Sequence, residues 1–330
     1  MRIILCGFGV VGQSLVTLLD ARADEMYSQY GLKNRLVGVF DSGGGTTDTM
    51  GLSLKKLLED KKSKGTVSQG KESGTSLIEN ISADVLIETT PSNYKDAQPG
   101  LSHITTALKK RMHVISVNKG PLALAFPSLL ELAVYNHVLF KFSGTVGGGT
   151  PILDYAKSSL QGESIESFNG ILNGTTNYIL SNMRDGMSPE DAIQDARGKG
   201  YMEADEALDL DGLDAAAKLV IMANWIMGTK ATLSDVDCTG IRNVTQVQVD
   251  SAKKSKKAIK LIASCNGGLK VSPKEIDNDD PLCVNGTLNA VSFTSSHSGT
   301  QTIIGRGAGG TETASAILRD LIDIKKEMTR

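Results

Sequence analysis

The sequence is short of several things, and each shortage removes a class of protein. Its four cysteines (Cys6, Cys238, Cys265 and Cys283) are too scattered for a zinc knot or a disulfide scaffold. They read as reduced thiols, and a reducing cytoplasm is the expected setting. His103, His113, His137 and His297 stand alone, without a His-x-x-x-His or Cys partner, so each is expected to be filler rather than a metal ligand. One-signed charge is missing as well: 35 Lys and Arg against 37 Asp and Glu leave a formal net charge of -2, and no block of like charge offers a nucleic acid or an anionic membrane a continuous field. No apolar run suits a bilayer. The longest, Leu213 to Met227, is interrupted by Asp214, Lys218 and Asn224, and the apolar start gives way to glycine at Gly7, too early for a signal peptide. A soluble chain with a small neutral or zwitterionic ligand is the expectation.

A chain of 330 residues exceeds what one hydrophobic core sustains, so more than one lobe is expected. Residues 2–6 form a short apolar run, 12–21 carry Leu15, Val16, Leu18 and Leu19 at helical spacing, and 35–40 form a second apolar run. Strand, helix, strand is the economical reading, and parallel pairing follows. The alternation continues with a helix at 52–60, a strand at 83–88, a helix at 101–110, a strand at 112–117, a helix at 127–136 and a strand at 138–142. That order predicts a doubly wound α/β sheet of the Rossmann kind, with the polar stretch 61–76 as a surface loop carrying no chemistry. After Gly147-Gly148-Gly149-Thr150-Pro151 the pattern changes to helices near 151–160, 189–198 and 213–227, a basic amphipathic stretch at 250–263 and short strands from 268 to 305. Thr311 is expected to cap a last helix whose Ala314, Ile317, Leu318 and Leu321 pack back onto a lobe already built. The expected division is a dinucleotide-binding domain of 1–150 plus 310–330 and a second α+β region of 151–309.

Gly7-Phe8-Gly9-Val10-Val11-Gly12 fits G-x-G-x-x-G between the first strand and the first helix. There the glycines permit a tight turn and close approach to a pyrophosphate, while the helix N-terminus supplies partial positive charge. Asp41 closes the second strand, where an acidic side chain accepts from ribose hydroxyls and repels a 2′-phosphate; this leans toward NAD, with a solvated loop cap as the bland alternative. No basic residue follows directly in Asp41-Ser42-Gly43-Gly44-Gly45, and the choice between NAD and NADP stays open. Ligands of a doubly wound sheet gather at the carboxyl ends of its strands. Thr89-Thr90-Pro91-Ser92 could therefore meet a ribose or nicotinamide, or be a plain Thr-Pro stop, and Asn118-Lys119-Gly120-Pro121 brings an ammonium to the same edge, as a functional group or a surface charge.

The segment Gly200 to Gly212 carries the carboxylates Glu203, Asp205, Glu206, Asp209 and Asp211. Beyond it, Asp214 and Lys218 lie four apart on one helical face, among Ala215, Ala216, Ala217, Leu219, Val220 and Ile221. An ammonium there loses solvation while Asp214 supports its charge, opposing pulls that suit a group exchanging protons. Reduction of a carbonyl needs such a donor for the developing alkoxide. A surface ion pair of little worth is the competing account.

With these segments the chain resembles homoserine dehydrogenase over nearly its whole length. The likeness extends to Thr145-Val146-Gly147-Gly148-Gly149-Thr150-Pro151, Asn173-Gly174-Thr175-Thr176-Asn177-Tyr178, Asn289-Ala290-Val291 and Gly305-Arg306-Gly307-Ala308-Gly309-Gly310. The resemblance implies reversible NAD(P)-dependent reduction of aspartate semialdehyde to homoserine, within threonine, methionine and isoleucine biosynthesis. It implies Lys218 as proton donor and acceptor, Lys119 touching both nicotinamide and substrate, Glu203 and Asp214 binding substrate, and Asp209 supporting that site. It further implies Gly200 and Gly309 lining the cofactor site, and a homodimer pairing through sheet near 282–309. Two departures stand out: Asp205-Glu206 replaces the family's usual Asp-Pro in the acidic loop, and Ser143 stands where many members carry a glutamate for a monovalent cation. The carbonyls of Val146, Gly148 and Thr150 remain as candidate ligands for sodium or potassium, but without that charge no metal is expected. Feedback by threonine through a regulatory domain is not expected either.

Three rival readings make different demands. A phosphorylating semialdehyde dehydrogenase needs a nucleophilic cysteine beside a histidine, and no such context exists in the sequence. An amino-acid dehydrogenase acting on a C–N bond would use Lys119, Glu203 and Lys218 on an imine. A non-catalytic NAD-binding sensor would tolerate loss of Lys218.

Overall fold

The computed structural model describes residues 1–68, 74–202 and 205–329. They fall into two compact units, Met1–Gly149 with Gly309–Arg330, and Thr150–Ala308.

In the first unit, strands β1 (Arg2–Cys6), β2 (Arg35–Asp41), β3 (Gly44–Thr47), β4 (Val85–Glu88), β5 (His113–Ser116) and β6 (Phe140–Lys141) form one sheet in the order β3-β2-β1-β4-β5-β6. All neighbours are parallel except β3, which runs antiparallel to β2. The parallel strands β1, β2, β4 and β5 are short, mainly apolar runs because helices cover both faces of a parallel sheet, leaving no polar side to alternate with. Those helices are α1 (Val10–Ala21), α2 (Ala23–Tyr30), α3 (Leu54–Lys64), α4 (Gly74–Asn80), α5 (Gly100–Lys109) and α6 (Lys119–Tyr135). The doubly wound architecture expected from the alternation is present.

Several local expectations are corrected. The stretch 61–76 is not wholly loop: α3 continues to Lys64, α4 begins at Gly74, and Val67 is buried in the core. Lys119 is not in a loop but opens α6, because the Asn118 side chain accepts from Gly120 N and caps the helix; the helix breaks at Ala125, two residues before Pro127.

The second unit contains the short helical turn α7 (Ile152–Asp154), β7 (Ile165–Ile171), α8 (Gly174–Arg184), α9 (Pro189–Gly198), α10 (Glu206–Leu210), α11 (Leu213–Ile226), β8 (Val236–Cys238), α12 (Gln246–Lys254), β9 (Lys257–Cys265), β10 (Leu269–Asp277), β11 (Leu288–Ser295) and β12 (Gly299–Arg306). Its sheet runs β12-β11-β7-β9-β10-β8. The basic amphipathic stretch expected at 250–263 divides into the end of α12 and the greater part of β9, whose residues 258–265 are all buried. A strand buried on both faces loses its polar alternation and imitates a helix segment.

The last helix, α13 (Gly310–Met328), belongs to the first unit and buries Ala314, Ile317, Leu318 and Leu321 against the core of β1 and α1. Thr311 is not its cap. Gly309 occupies that position, and a Cβ at Gly310 would stand 2.7 Å from Ser14 Oγ and 2.7 Å from Val10 Cγ1, so bare backbone lets the helix start early against α1.

Candidate active site

In the first unit, the chain leaves β1 through Gly7, whose φ of +93° and would-be Cβ, 2.7 Å from the Thr89 carbonyl carbon, both demand glycine. A Cβ at Gly12 would meet Gly7 O at 2.5 Å, fixing α1 close to the strand. Gly9 differs: nothing lies within 4 Å of where its Cβ would stand. Buried glycines therefore set the turn and an open one faces outward at a helix N-terminus, an arrangement that fits a dinucleotide pyrophosphate. Phe8 is buried in the core and has only backbone to offer, while Val10 is exposed and Val11 half-buried.

Asp41 is more engaged than its position alone suggests. Its Oδ2 accepts from Lys61 Nζ at 2.7 Å and Val67 N at 3.1 Å, and its Oδ1 from Thr66 Oγ1 at 2.8 Å and Gly43 N at 2.9 Å. Burial would raise its carboxyl pKa, but the Lys61 and Thr66 hydrogen bonds and the two backbone donors outweigh it and hold the group below the ordinary range. The stretch 61–76, expected to carry no chemistry, supplies a cation beside Asp41, which sequence proximity could not reveal because Lys61 comes from α3.

At the ends of β4 and β5, Thr89 Oγ1 bonds the carbonyls of Cys6 (2.9 Å) and Gly7 (2.8 Å), so it locks the glycine turn. Thr90 Oγ1 accepts from Asn118 Nδ2 at 3.0 Å, and Lys119 N donates to Ser92 Oγ at 3.0 Å. Asn118 Nδ2 also reaches the carbonyl of Pro91 at 3.3 Å. The two strand-end loops are joined, with half-buried Lys119 at the first position of α6.

In the second unit, α11 brings Asp214 and Lys218 to one face, and both are buried. Lys218 Nζ lies 2.7 Å from Asp214 Oδ2 and donates to the Leu172 carbonyl at 2.7 Å. Asn173 Nδ2 bridges two carboxylates, Asp209 Oδ1 at 2.7 Å and Asp214 Oδ2 at 3.0 Å, while Asn173 Oδ1 accepts from Thr176 N at 2.8 Å and caps α8. Asn289 Nδ2, from β11, also donates to Leu172 O at 3.0 Å. A carboxylate pair, an amide bridge and an ammonium thus share one buried network.

The acidic loop divides by burial. Asp209 faces inward at 2% exposure, Asp205 caps α10, and Glu206 and Asp211 face Arg242 outside. Gly200, at φ +70°, has open space around it, and its neighbour Tyr201 accepts from Thr175 Oγ1 at 2.6 Å. Glu203 lies outside the described residues.

Around the candidate cation ligands, Val146, Gly148 and Thr150 are buried, and Ser143 donates from N (3.1 Å) and Oγ (2.6 Å) to Asp320 of α13. Ser143 thus supplies no carboxylate, and its hydroxyl proton is committed to Asp320. Asn173, Asn289, Asp320 and Lys61 were not singled out by sequence reasoning. Asn173 and Asn289 lay within quoted motifs, yet an amide shows its value only through its partners.

The fold and the open glycine cradle place the chain among the dinucleotide-dependent oxidoreductases. Residues 7–142 match the NAD binding domain of homoserine dehydrogenase, and residues 151–322 match the family described as homoserine dehydrogenase. The chain is 41% identical over 331 residues to a homoserine dehydrogenase of Methanocaldococcus jannaschii, covering 98% of each. It is 37% identical over 343 residues to an NAD(+)-dependent homoserine dehydrogenase of Pseudomonas canavaninivorans, covering 100% of this chain and 97% of that relative. A hyperthermophilic archaeal homoserine dehydrogenase in complex with NADPH superposes with a TM-score of 0.87 at 27% identity, covering 99% of this chain and 98% of that one. The chain belongs to the homoserine dehydrogenase family and is an NAD(P)-dependent oxidoreductase.

Proposed function

We propose that the chain reversibly reduces L-aspartate 4-semialdehyde to L-homoserine, with Lys218 moving the proton. The observation that supports this most is the buried Lys218, held by Asp214 Oδ2 and the Leu172 carbonyl, each at 2.7 Å. Among the described residues these take two of its three N–H donors, and the third is assigned to the substrate oxygen. When bound, the nicotinamide supplies a hydride to the aldehyde carbon or takes one from the alcohol. During reduction Lys218 Nζ gives its proton to the developing alkoxide; during oxidation it takes the hydroxyl proton, and Asp214 stabilises the ammonium. Asp214 and Glu203 bind the substrate, with Asp209 supporting Asp214 through the Asn173 amide. Gly7, Gly9, Gly12 and the start of α1 bind pyrophosphate, Asp41 faces the adenosine ribose, and Thr89, Thr90, Pro91 and Lys119 serve the nicotinamide side, with Gly200 and Gly309 contributing backbone.

The same reading puts the enzyme in threonine, methionine and isoleucine biosynthesis in the cytoplasm, as a homodimer. No helix among the described residues is long and apolar enough to cross a membrane. The dimer is supported by β12, an eight-residue strand at the sheet edge whose outer side has no strand partner among the described residues. The test is nicotinamide absorbance with L-homoserine and either NAD or NADP, with ammonia assayed in parallel. Cofactor reduction without ammonia supports the alcohol–aldehyde reaction; ammonia release in step with it would overturn that in favour of C–N chemistry.

A further inference from the structure

We propose that Glu88, buried at the end of β4, is a positioning residue: it couples α5 to the loop that carries Thr90 and to the start of α6 at Lys119, and so sets how tightly the nicotinamide cofactor is held. The inference rests on the dehydrogenase reading above and names a part of the machinery that reading leaves unexplained.

Glu88 has no exposed surface, and its backbone pairs with Cys6 of β1 on one side and Ser116 of β5 on the other. A carboxylate buried among apolar strand residues is costly unless it is fully hydrogen-bonded, and an apolar side chain would end the strand at no such cost. Its two oxygens face different elements, Oε1 the loop after β4 and Oε2 the helix α5. Oε1 accepts from Thr90 N at 2.7 Å and, in a very short contact, from Thr90 Oγ1. Oε2 lies 2.8 Å from Nδ1 of His103, itself buried on α5 with its ring edge-on to Phe40 of β2 at 5.8 Å. Thr90 Oγ1, spending its proton on Glu88, is left to accept from Asn118 Nδ2 at 3.0 Å, and Asn118 Oδ1 accepts from Gly120 N at 3.0 Å, capping the helix that Lys119 opens. Each link dictates the direction of the next, so the carboxylate orients a chain of donors that ends at the backbone beside Lys119. Packing reinforces the coupling: a Cβ at Gly120 would stand 2.4 Å from Asn93 O, and one at Gly100, the first residue of α5, 2.5 Å from Asn118 Nδ2.

Cys6, Glu88 and His103 also bring a sulfur, a carboxylate oxygen and a ring nitrogen within 4.8 Å of one another, a set that a borderline divalent ion such as zinc could use. Both carboxylate oxygens are already committed to Thr90 and His103, which favours hydrogen-bonded wiring over ligation.

The experiment compares wild type with Glu88→Gln, Thr90→Val and Thr90→Ser in the full chain. It measures cofactor dissociation by nicotinamide fluorescence, steady-state KM for cofactor and for L-homoserine, thermal melting and zinc content. Glu88→Gln and Thr90→Val are expected to weaken cofactor binding about 10-fold, the size of one lost charge-assisted hydrogen bond. Thr90→Ser should restore wild-type binding because it keeps the hydroxyl. Unchanged cofactor affinity in Glu88→Gln and Thr90→Val would overturn the inference, as would an affinity loss that accompanies a lowered melting temperature and persists in Thr90→Ser. Stoichiometric zinc in wild type that is lost in Glu88→Gln would overturn it in favour of a metal site. Because fluorescence reads cofactor binding without turnover, failure to oxidise homoserine would sink the functional reading while leaving this comparison intact.

Discussion

Replacing Lys218 with methionine keeps the apolar stem and removes the ammonium. The ion pair it breaks, 2.7 Å long between side chains 8% and 11% exposed, leaves Asp214 buried without its cation. Removing one partner of a buried pair costs about 3–5 kcal/mol. Asp214 keeps the Asn173 amide at 3.0 Å, and Leu172 O keeps the Asn289 amide at 3.0 Å, so the lower end, about 3 kcal/mol, is expected in urea unfolding. Loss of a general acid–base lowers kcat by about 10²–10⁴, equivalent to about 3–5 kcal/mol of barrier. Arginine at the same position restores a charge toward Asp214 but does not release a proton near neutrality. Lys218→Arg should therefore regain stability relative to Lys218→Met while its kcat stays at least about 100-fold down. The assay is nicotinamide absorbance at saturating homoserine, with cofactor affinity measured separately. Turnover within about threefold of wild type in either variant, at unchanged cofactor affinity, would refute the proton-transfer role.

Gly7→Ala forces a Cβ to 2.7 Å from Thr89 at a φ of +93°, so a loss of about 2 kcal/mol or more and weakened cofactor binding are expected; unaltered calorimetric melting and affinity would contradict this. Asn173→Ala removes both the cap of α8 and the bridge between Asp209 and Asp214, and should cost about 2–4 kcal/mol and raise the homoserine KM; a neutral effect on both would show that the bridge carries no energy. Lys260 is hydrogen-bonded to Asn177, Ser181, Val284 and Asn285, and burial lowers its pKa from 10.5 to about 8. Between those values the unfolded chain holds the proton that the native one has released, so stability rises with pH across that window, by on the order of 3 kcal/mol. The gain should vanish in Lys260→Met; equal pH profiles of unfolding free energy in the two proteins would disprove it.

Much of the first unit was legible because its elements are regular: the apolar runs of β1, β2, β4 and β5, each followed by helical spacing, favour a parallel sheet covered by helices. The glycine turn was legible for the same reason, since backbone geometry is encoded where it is used. The second unit was harder. β9, buried along most of its length, lost the alternation that marks a strand, and β7 and α8 carried no unambiguous period.

Local rules also placed Asp214 and Lys218 on one face, because four residues make roughly one helical turn. They could not place Asn173 between Asp209 and Asp214, Asn289 against Leu172, Lys61 beside Asp41 or His103 against Glu88, since each pair is brought together by separate elements. Sequence by itself thus determined the class of fold, the glycine turn between β1 and α1 and the shared helical face of Asp214 and Lys218. Only tertiary structure decided which of many carboxylates are buried and what each one holds, because burial and hydrogen-bond partnership depend on residues far apart in the chain.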